Sequence, residues 1–334
     1  MRQILRKPYR LTVKVAKKII GFNQVFVENQ NLKLENNEVA EKIKALEKDY
    51  NFGWPNGHYY SPVHSIDDLK SYKKVVNRSK SKFANTIPGF SESRMVKKFN
   101  NIKSYFKEFD YPENDDGNCR FYSKNVSLSK LDSLVIFSMI RKHKPKKIIE
   151  IGSGFSSGLM MEVNEKYFGN KIDITFIEPY PELLYQRMRK GDRSRYRVIS
   201  KGVQDVPLEI FKKLKKDDIL FIDSTHVSKF ASDVNYEIFN ILPELNKGVI
   251  IHFHDIHDGF EYPLNWLQIG WAWNEAYVLR AYLMNNCEYE ILLMNNYLIN
   301  RFSELLNKSY SKENVLNDGS EWIRHDGSLW IRKS

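Results

Sequence analysis

The sequence predicts an α/β fold: a doubly wound, mostly parallel sheet of seven strands with an N-terminal helical extension. Three observations carry this reading. From about residue 125, short apolar strands alternate with helix-period segments, the signature of βαβ units. Each of the first five strands is a nearly continuous apolar run, as a sheet covered on both faces requires. Two further strand-like segments, YEILLM (289–294) and SLWIRK (328–333), close the chain and read as an antiparallel pair.

The N-terminal 50 residues form the extension. Ile4, Leu11, Val15, Ile19 and Phe22 recur every three to four positions, and Pro8 suits a first helical turn. Arg2, Arg6, Lys7, Arg10, Lys14, Lys17 and Lys18 give this arm seven positive charges without an acid. The net charge of +11 therefore leaves only +4 for everything after residue 22, and a nucleic-acid-binding surface is not expected. A basic amphipathic helix of this kind can lie on an anionic membrane surface, or pack on its own domain or on a partner subunit of a homo-oligomer. Residues 28–50 continue as a polar helix with Leu32, Val39, Ile43 and Leu46 on one stripe. Residues 51–124 read as an irregular and helical cap region, with a basic helix face near Lys70–Arg78.

Residues 125–334 are the expected catalytic domain. A helix from Leu128 to about His143 is stopped by Pro145, and KKIIEIG (146–152) is the first strand. Then follow a helix to about Tyr167, the strand IDITFIEP (172–179), a helix to about Lys190 and the strand YRVIS (196–200). PLEIFKKL (207–214) is a third helix in this series and DILFID (218–223) the fourth strand. DVNYEIFNILPEL (233–245), GVIIHFHD (248–255) and NEAYVLRAYLMNN (274–286) complete the alternation. In such a sheet the ligand site lies at the carboxyl ends of the strands.

Composition bounds the rest. With 42% hydrophobic and 28% charged residues the chain is globular, and no run approaches the ~18 apolar residues of a spanning helix. Two distant cysteines, Cys119 and Cys287, make no disulfide framework, so a reducing, cytoplasmic setting is expected, with the basic arm available for peripheral membrane contact.

Glu150-Ile-Gly-Ser-Gly-Phe-Ser-Ser-Gly158 links the first strand to its helix, where glycine lets backbone approach a ligand and free N–H groups point outward. Glu178, ending the second strand, can accept both vicinal hydroxyls of a ribose. Together with GVQDVP and ILFIDSTHV, these segments resemble class I S-adenosylmethionine-dependent methyltransferases, most closely a bacterial branch with an HFHDI-like fifth strand. The resemblance covers about residues 120–334. It implies a Rossmann-like domain with Gly152 and Gly154 under the methionine part of the cofactor, Glu178 on the ribose and Gln204-Asp205 near the adenine. The expected cofactor set is Glu150, Gly152, Ser153, Gly154, Glu178, Gln204, Asp205 and Asp223. Ser156 stands where a third glycine is frequent.

Asp223 and Asp255 end the fourth and fifth strands and should face one crevice, where a proton, a basic side chain or a divalent cation must offset their repulsion. The pair resembles the catechol O-methyltransferase type, in which strand-end acids hold magnesium. Its usual third ligand is Ile256 here, so Asp258 or a histidine would have to substitute. Without metal, His226 or His254 is the expected general base, and His252 a core histidine. By strand alternation His252 and His254 share a face and Asp255 points opposite. Phe260, Tyr262, Trp266, Trp271 and Trp273 are a candidate aromatic lid, and Asn274 and Glu275 border the pocket or cap the next helix. The expected activity is O-methylation of a small-molecule or glycan hydroxyl. The competing readings are a nicotinamide-dependent oxidoreductase, against which Ser157 stands at the third glycine of the dinucleotide pattern, and a non-catalytic membrane-surface scaffold.

Overall fold

The computed structural model describes Trp54, residues 56–307 and residues 326–334. The basic arm and the stripe at 28–50 lie outside the described residues. Asn56–Ser334 form one compact unit.

Among the described residues two α-helices come first, α1 (Tyr72–Thr86) and α2 (Glu92–Ile102), the latter capped by Ser91, whose Oγ accepts the Arg94 N–H. Helix α3 (Lys130–His143) starts where Ser129 Oγ accepts the Asp132 N–H, and buries ten consecutive side chains from Leu131 to Ile140. It ends at Lys144, whose left-handed backbone precedes Pro145 because a residue before proline is driven out of the right-handed helical region. The alternation then runs β1 (Lys147–Ile151), α4 (Phe155–Phe168), β2 (Asp173–Ile177), α5 (Glu182–Arg187), β3 (Arg197–Ile199) and β4 (Ile219–Ile222). It continues with α6 (residues 233–244), β5 (Ile250–His254), α7 (Glu275–Leu283), β6 (Tyr289–Met294), α8 (Asn295–Asn307) and β7 (Ser328–Lys333).

All seven strands join one sheet in the order β3-β2-β1-β4-β5-β7-β6. The first five are mutually parallel, while β7 runs antiparallel to both β5 and β6, so the closing pair forms as the sequence indicates. Strand order reverses between β1 and β4, which opens a crevice above their carboxyl ends.

Three helical expectations change. The segment after β2 stops at Arg187 rather than near Lys190, because Met188 turns extended. Residues after Pro207 form a 3-10 turn, Leu208–Lys213, too short for a full α-helix. Helix α7 ends at Leu283, where Met284 turns extended and Asn285 left-handed, short of the expected Asn286.

On the opposite side of the sheet, His143 Nδ1 lies 3.2 Å from Asp217 Oδ1 and 3.3 Å from the Arg332 guanidinium. Burial, helped by Arg332, pushes the imidazole down to about 4 against the pull of Asp217. A base whose pKa falls on folding binds fewer protons in the native state. Its contribution to stability is therefore whole above the unfolded pKa of about 6.5 and is lost as pH falls toward 4. We expect a loss of roughly 2 kcal/mol over that window, smaller in His143→Gln, measured by urea denaturation at pH 7 and pH 4.5.

Candidate active site

The turn after β1 is shaped by contact with β4. Gly152 has φ +77°, and a Cβ there would sit 1.8 Å from the Asp223 carbonyl oxygen, so no other residue fits. Its N–H donates to Ile177 O, while the Asp223 N–H donates to Ile151 O. Glu150 is fully buried beneath this turn. Ser156 Oγ–H donates to its Oε1 at 2.6 Å and Ser157 Oγ–H to its Oε2. Burial pushes the Glu150 carboxyl up to about 8, with both hydroxyls pulling it back. Glu150 therefore has no surface to offer a cofactor; it braces the turn from below. Serine at 156 is explained by the same pair of bonds.

Glu178 joins β2 to the glycine turn. Its Oε2 accepts the Ser153 N–H at 3.0 Å and its Oε1 the Tyr180 N–H at 2.9 Å. A carboxylate has about four lone-pair sites, so both oxygens keep acceptor capacity for a diol. Ser153 Oγ is buried at the turn without a hydrogen-bond partner. Gly154 carries no side chain toward the opening, and the nearest neighbour of a Cβ there would be Leu183. This set fits a nucleoside cofactor: an acidic diol acceptor, an orphaned hydroxyl and a bare turn side by side. Gln204 and Asp205 are exposed in the turn following β3, next along the same strand ends, and do not touch the other cofactor candidates by any hydrogen bond.

The second half of the site gathers around His226. Its backbone is left-handed, at φ 60°, and its carbonyl accepts the N–H groups of Asn274 and Glu275, docking the loop onto the start of α7. Nδ1 lies 2.7 Å from Glu275 Oε2. Nε2 is 3.5 Å from both Asp223 Oδ1 and Asp255 Oδ2. Trp273 covers the ring at 4.4 Å between centroids. Burial acts to lower the imidazole pKa, but hydrogen bonds to Asp223 and Glu275 and the charges of Glu275 and Asp255 overcome it and raise it well above 6.5. Burial lifts Asp255 to about 6, tempered by His254 and His226. Asp223 meets the same burial, but His254 and His226 more than offset it and hold the carboxyl below its ordinary range.

Asp255 does not point away from His254. Its own backbone is left-handed, at φ 57°, which resets the strand alternation and brings Oδ1 to 3.8 Å from His254 Nε2. His254 is raised, its burial outweighed by Asp223, Asp255 and Asp132. His252 stacks on Phe221 at 3.9 Å and is held neutral by burial, a core histidine as expected.

Metal was the other candidate to offset the acids. Donor atoms of Asp223, His226 and Asp255 do lie within 4.8 Å of one another. Magnesium, however, requires near-octahedral oxygen donors. Ile256 is fully buried and apolar, and Asp258 is turned away toward Lys80 at 3.5 Å. The residues do not fit magnesium, and the His226 imidazole, its pKa raised well above 6.5, sits where it can offset the acids. The expected lid also divides. Phe260, Tyr262 and Trp266 belong to the core, and Tyr262 Oη accepts the Ala276 N–H. Only Trp271 and Trp273 are half-buried, stacked at 4.5 Å over the site.

Glu275, expected to border the pocket or cap the helix, is 1% exposed and lies against His226. One buried acid beside the site escapes a reading of the sequence. Glu237 is fully buried at a π-helical turn in α6 (Glu237–Ile241), accepts Ser224 Oγ–H at 3.1 Å and is raised well above the carboxylate range, by burial first and then Glu275. An acid inside the apolar run YEIFNIL was the available signal.

A family model described as a methyltransferase domain matches residues 149–256, the span from β1 through β5 that carries the turn, Glu178, Asp223 and Asp255. An uncharacterized protein of Archaeoglobus fulgidus is 34% identical over 193 residues, covering 54% of this chain and 86% of its own length. Among solved structures, the SAH-bound methyltransferase PaMTH1 of Podospora anserina aligns with 17% identity and a TM-score of 0.39, covering 78% of this chain and 96% of its own. The SAM complex of the O-methyltransferase TomG of Streptomyces achromogenes gives 12% identity and a TM-score of 0.39, covering 80% and 99%. Sheet order, glycine turn and family match together show that the chain carries a class I S-adenosylmethionine-dependent methyltransferase domain.

Proposed function

We propose that the enzyme methylates a hydroxyl of a small-molecule or sugar acceptor, with His226 taking the hydroxyl proton. The observation that carries this reading is the Glu275–His226 pair, which fixes the ring and aims Nε2 between the two strand-end acids. S-adenosylmethionine, held by Gly152, Ser153, Gly154 and Glu178 with Gln204 and Asp205 toward the adenine, supplies an electrophilic sulfonium methyl. Asp223, at the junction of both halves, borders cofactor and acceptor alike.

With its pKa raised well above 6.5, His226 is placed to offset part of the charge of Asp223 and Asp255. Bound S-adenosylmethionine would supply the methyl group, the carbon–sulfur pair returning to sulfur, and its charge would disfavour a second one on the ring. His226, then neutral, would accept the hydroxyl proton at Nε2. Glu275 stabilises the imidazolium that results, and positioning supplies much of the rate.

The test is transfer from S-[methyl-13C]adenosylmethionine into pooled small-molecule and glycan extracts, read by carbon NMR, which separates O-methyl from N-methyl products. New oxygen-bound methyl signals are expected; label only on nitrogen or carbon would reject O-methylation. Two further results follow from the site. Glu178→Ala should weaken S-adenosylhomocysteine binding by about 1.5–3 kcal/mol in calorimetry, the worth of a charged hydrogen-bond partner. Dialysis against EDTA should leave turnover within about twofold, since no magnesium site is assembled; strict restoration by a divalent cation would contradict that assignment.

A further inference from the structure

Helix α6 turns two acids toward the loop that carries Asp223 and His226. Asp233, in its first turn, accepts the Thr225 N–H at 3.0 Å and the Thr225 Oγ–H at 2.7 Å. One turn on, Glu237 accepts the Ser224 Oγ–H at 3.1 Å through Oε2. The helix widens into its π turn at this residue, a rare geometry that recurs at functional sites. Holding Ser224 needs only an acceptor, which a glutamine carbonyl also supplies. An acid at 237 has a second oxygen to account for.

Glu237 is fully buried, and its Oε1 has no hydrogen-bond partner. Glu275 places Oε2 at 2.7 Å from His226 Nδ1, and its Oε1 is likewise buried without a partner. Of the charges around Glu237, that of Glu275 acts most strongly, ahead of Asp233 and His226. Tyr262 Oη also senses Glu275 but accepts the Ala276 N–H and does not reach the free oxygen. Two orphaned acceptors are costly, and two buried carboxylates repel; one proton between them removes both costs. The proton belongs on Glu237, which burial and the charge of Glu275 raise well above the carboxylate range. Glu275 has the imidazole to pair with, the stronger partner for an ionised carboxylate.

We propose that Glu237 is a positioning residue, a neutral carboxylic acid whose Oε1–H donates to Glu275 Oε1 and so fixes Glu275 Oε2 on His226 Nδ1. This donor sets the plane of the Glu275 carboxylate and, by sharing its charge, how strongly Glu275 holds the imidazolium. The task of His226 rests on the methyl-transfer reading, but neither measurement of the Glu237 bond requires turnover. Infrared difference spectra of the full chain at neutral pH, wild type minus Glu237→Gln, should show the carbonyl stretch of a protonated carboxyl in the wild type alone. Nitrogen NMR titration of the His226 imidazole, its signal identified by its loss in His226→Gln, gives the second measurement. A neutral Glu237 predicts an unmoved midpoint in Glu237→Gln, whose amide keeps a donor. In Glu237→Leu, where Glu275 carries its charge unshared, the midpoint should rise by up to about one unit, as loss of one hydrogen bond to a charged group implies. If Glu237→Leu fails to fold, the infrared band and the glutamine variant decide. A missing carboxyl band, or a midpoint lowered in Glu237→Gln, would mean an ionised Glu237 and overturn the proposal. An unmoved midpoint in folded Glu237→Leu would reduce the residue to packing and overturn it as well. Absence of oxygen methylation with both results intact would count against the methyl-transfer reading alone.

Discussion

His226→Gln is expected to lower methyl transfer by about 10²–10⁴-fold, the usual worth of a positioned general base, while leaving S-adenosylhomocysteine affinity within about twofold. The first effect follows from Nε2 of this ring lying 3.5 Å from both Asp223 and Asp255. The second follows because no hydrogen bond ties it to the glycine turn or to Glu178. Glu275 acts through His226 and gives the same account a finer test. In the wild type the raised pKa should place the rising limb of kcat/KM on the alkaline side of 6.5. Removing the carboxylate in Glu275→Gln takes away a large cause of that shift, so the limb should move toward acid as kcat falls. A role for Glu275 in folding alone would leave the limb in place. Initial rates with labelled cofactor from pH 5.5 to 9 make the comparison.

Arg120→Met should cost about 3–5 kcal/mol of stability, because it strands a buried charge rather than removing a balanced pair. Arg120 is 2% exposed and Asp192 fully buried. Arg120 Nε–H and Nη2–H donate to the two Asp192 oxygens at 2.6 and 2.9 Å, a bidentate fork that lysine cannot reproduce. The third guanidinium nitrogen, Nη1, reaches Glu165 at 2.6 Å, and the Arg120 backbone N–H donates to Glu162. The Arg120 carbonyl also lies where a Cβ on Gly158 would sit, so this one residue ties the segment before α3 to α4. Calorimetry should show a melting temperature lower by roughly 10 °C, at ~2–4 °C per kcal/mol for a protein of this size. Replacing both partners, Arg120→Met with Asp192→Leu, should recover much of the loss. An unchanged melting temperature in the single variant would show that the pair contributes little.

The parallel sheet was legible because its strands are short, mostly apolar runs of three to five residues with no competing period, and β6 and β7 fall where the sequence puts them. Helix ends were less so. Met188 and Met284 end their helices by turning extended, which no proline or glycine at those positions announces. In the site, the glycine turn, Glu178, Asp223 and Asp255 could be placed because position at a strand end follows from topology. Direction could not. Asp255 and His226 both turn through left-handed backbone, and alternation holds only while the strand lasts. What Glu275 and Glu237 face was hidden for a different reason. An acid in a helix is usually solvated, and only packing shows that these two face His226 and Ser224. The lid fails on size, since Phe260, Tyr262 and Trp266 are needed to fill the core beside α7.

A crystal structure with S-adenosylhomocysteine measures the central assignment most directly. The account predicts the ribose diol on Glu178, the amino-acid tail over Gly152–Gly154, and the sulfur facing the space bounded by Asp223, His226 and Asp255. A product nucleoside bound elsewhere, or bound with its sulfur turned away from His226, would contradict it.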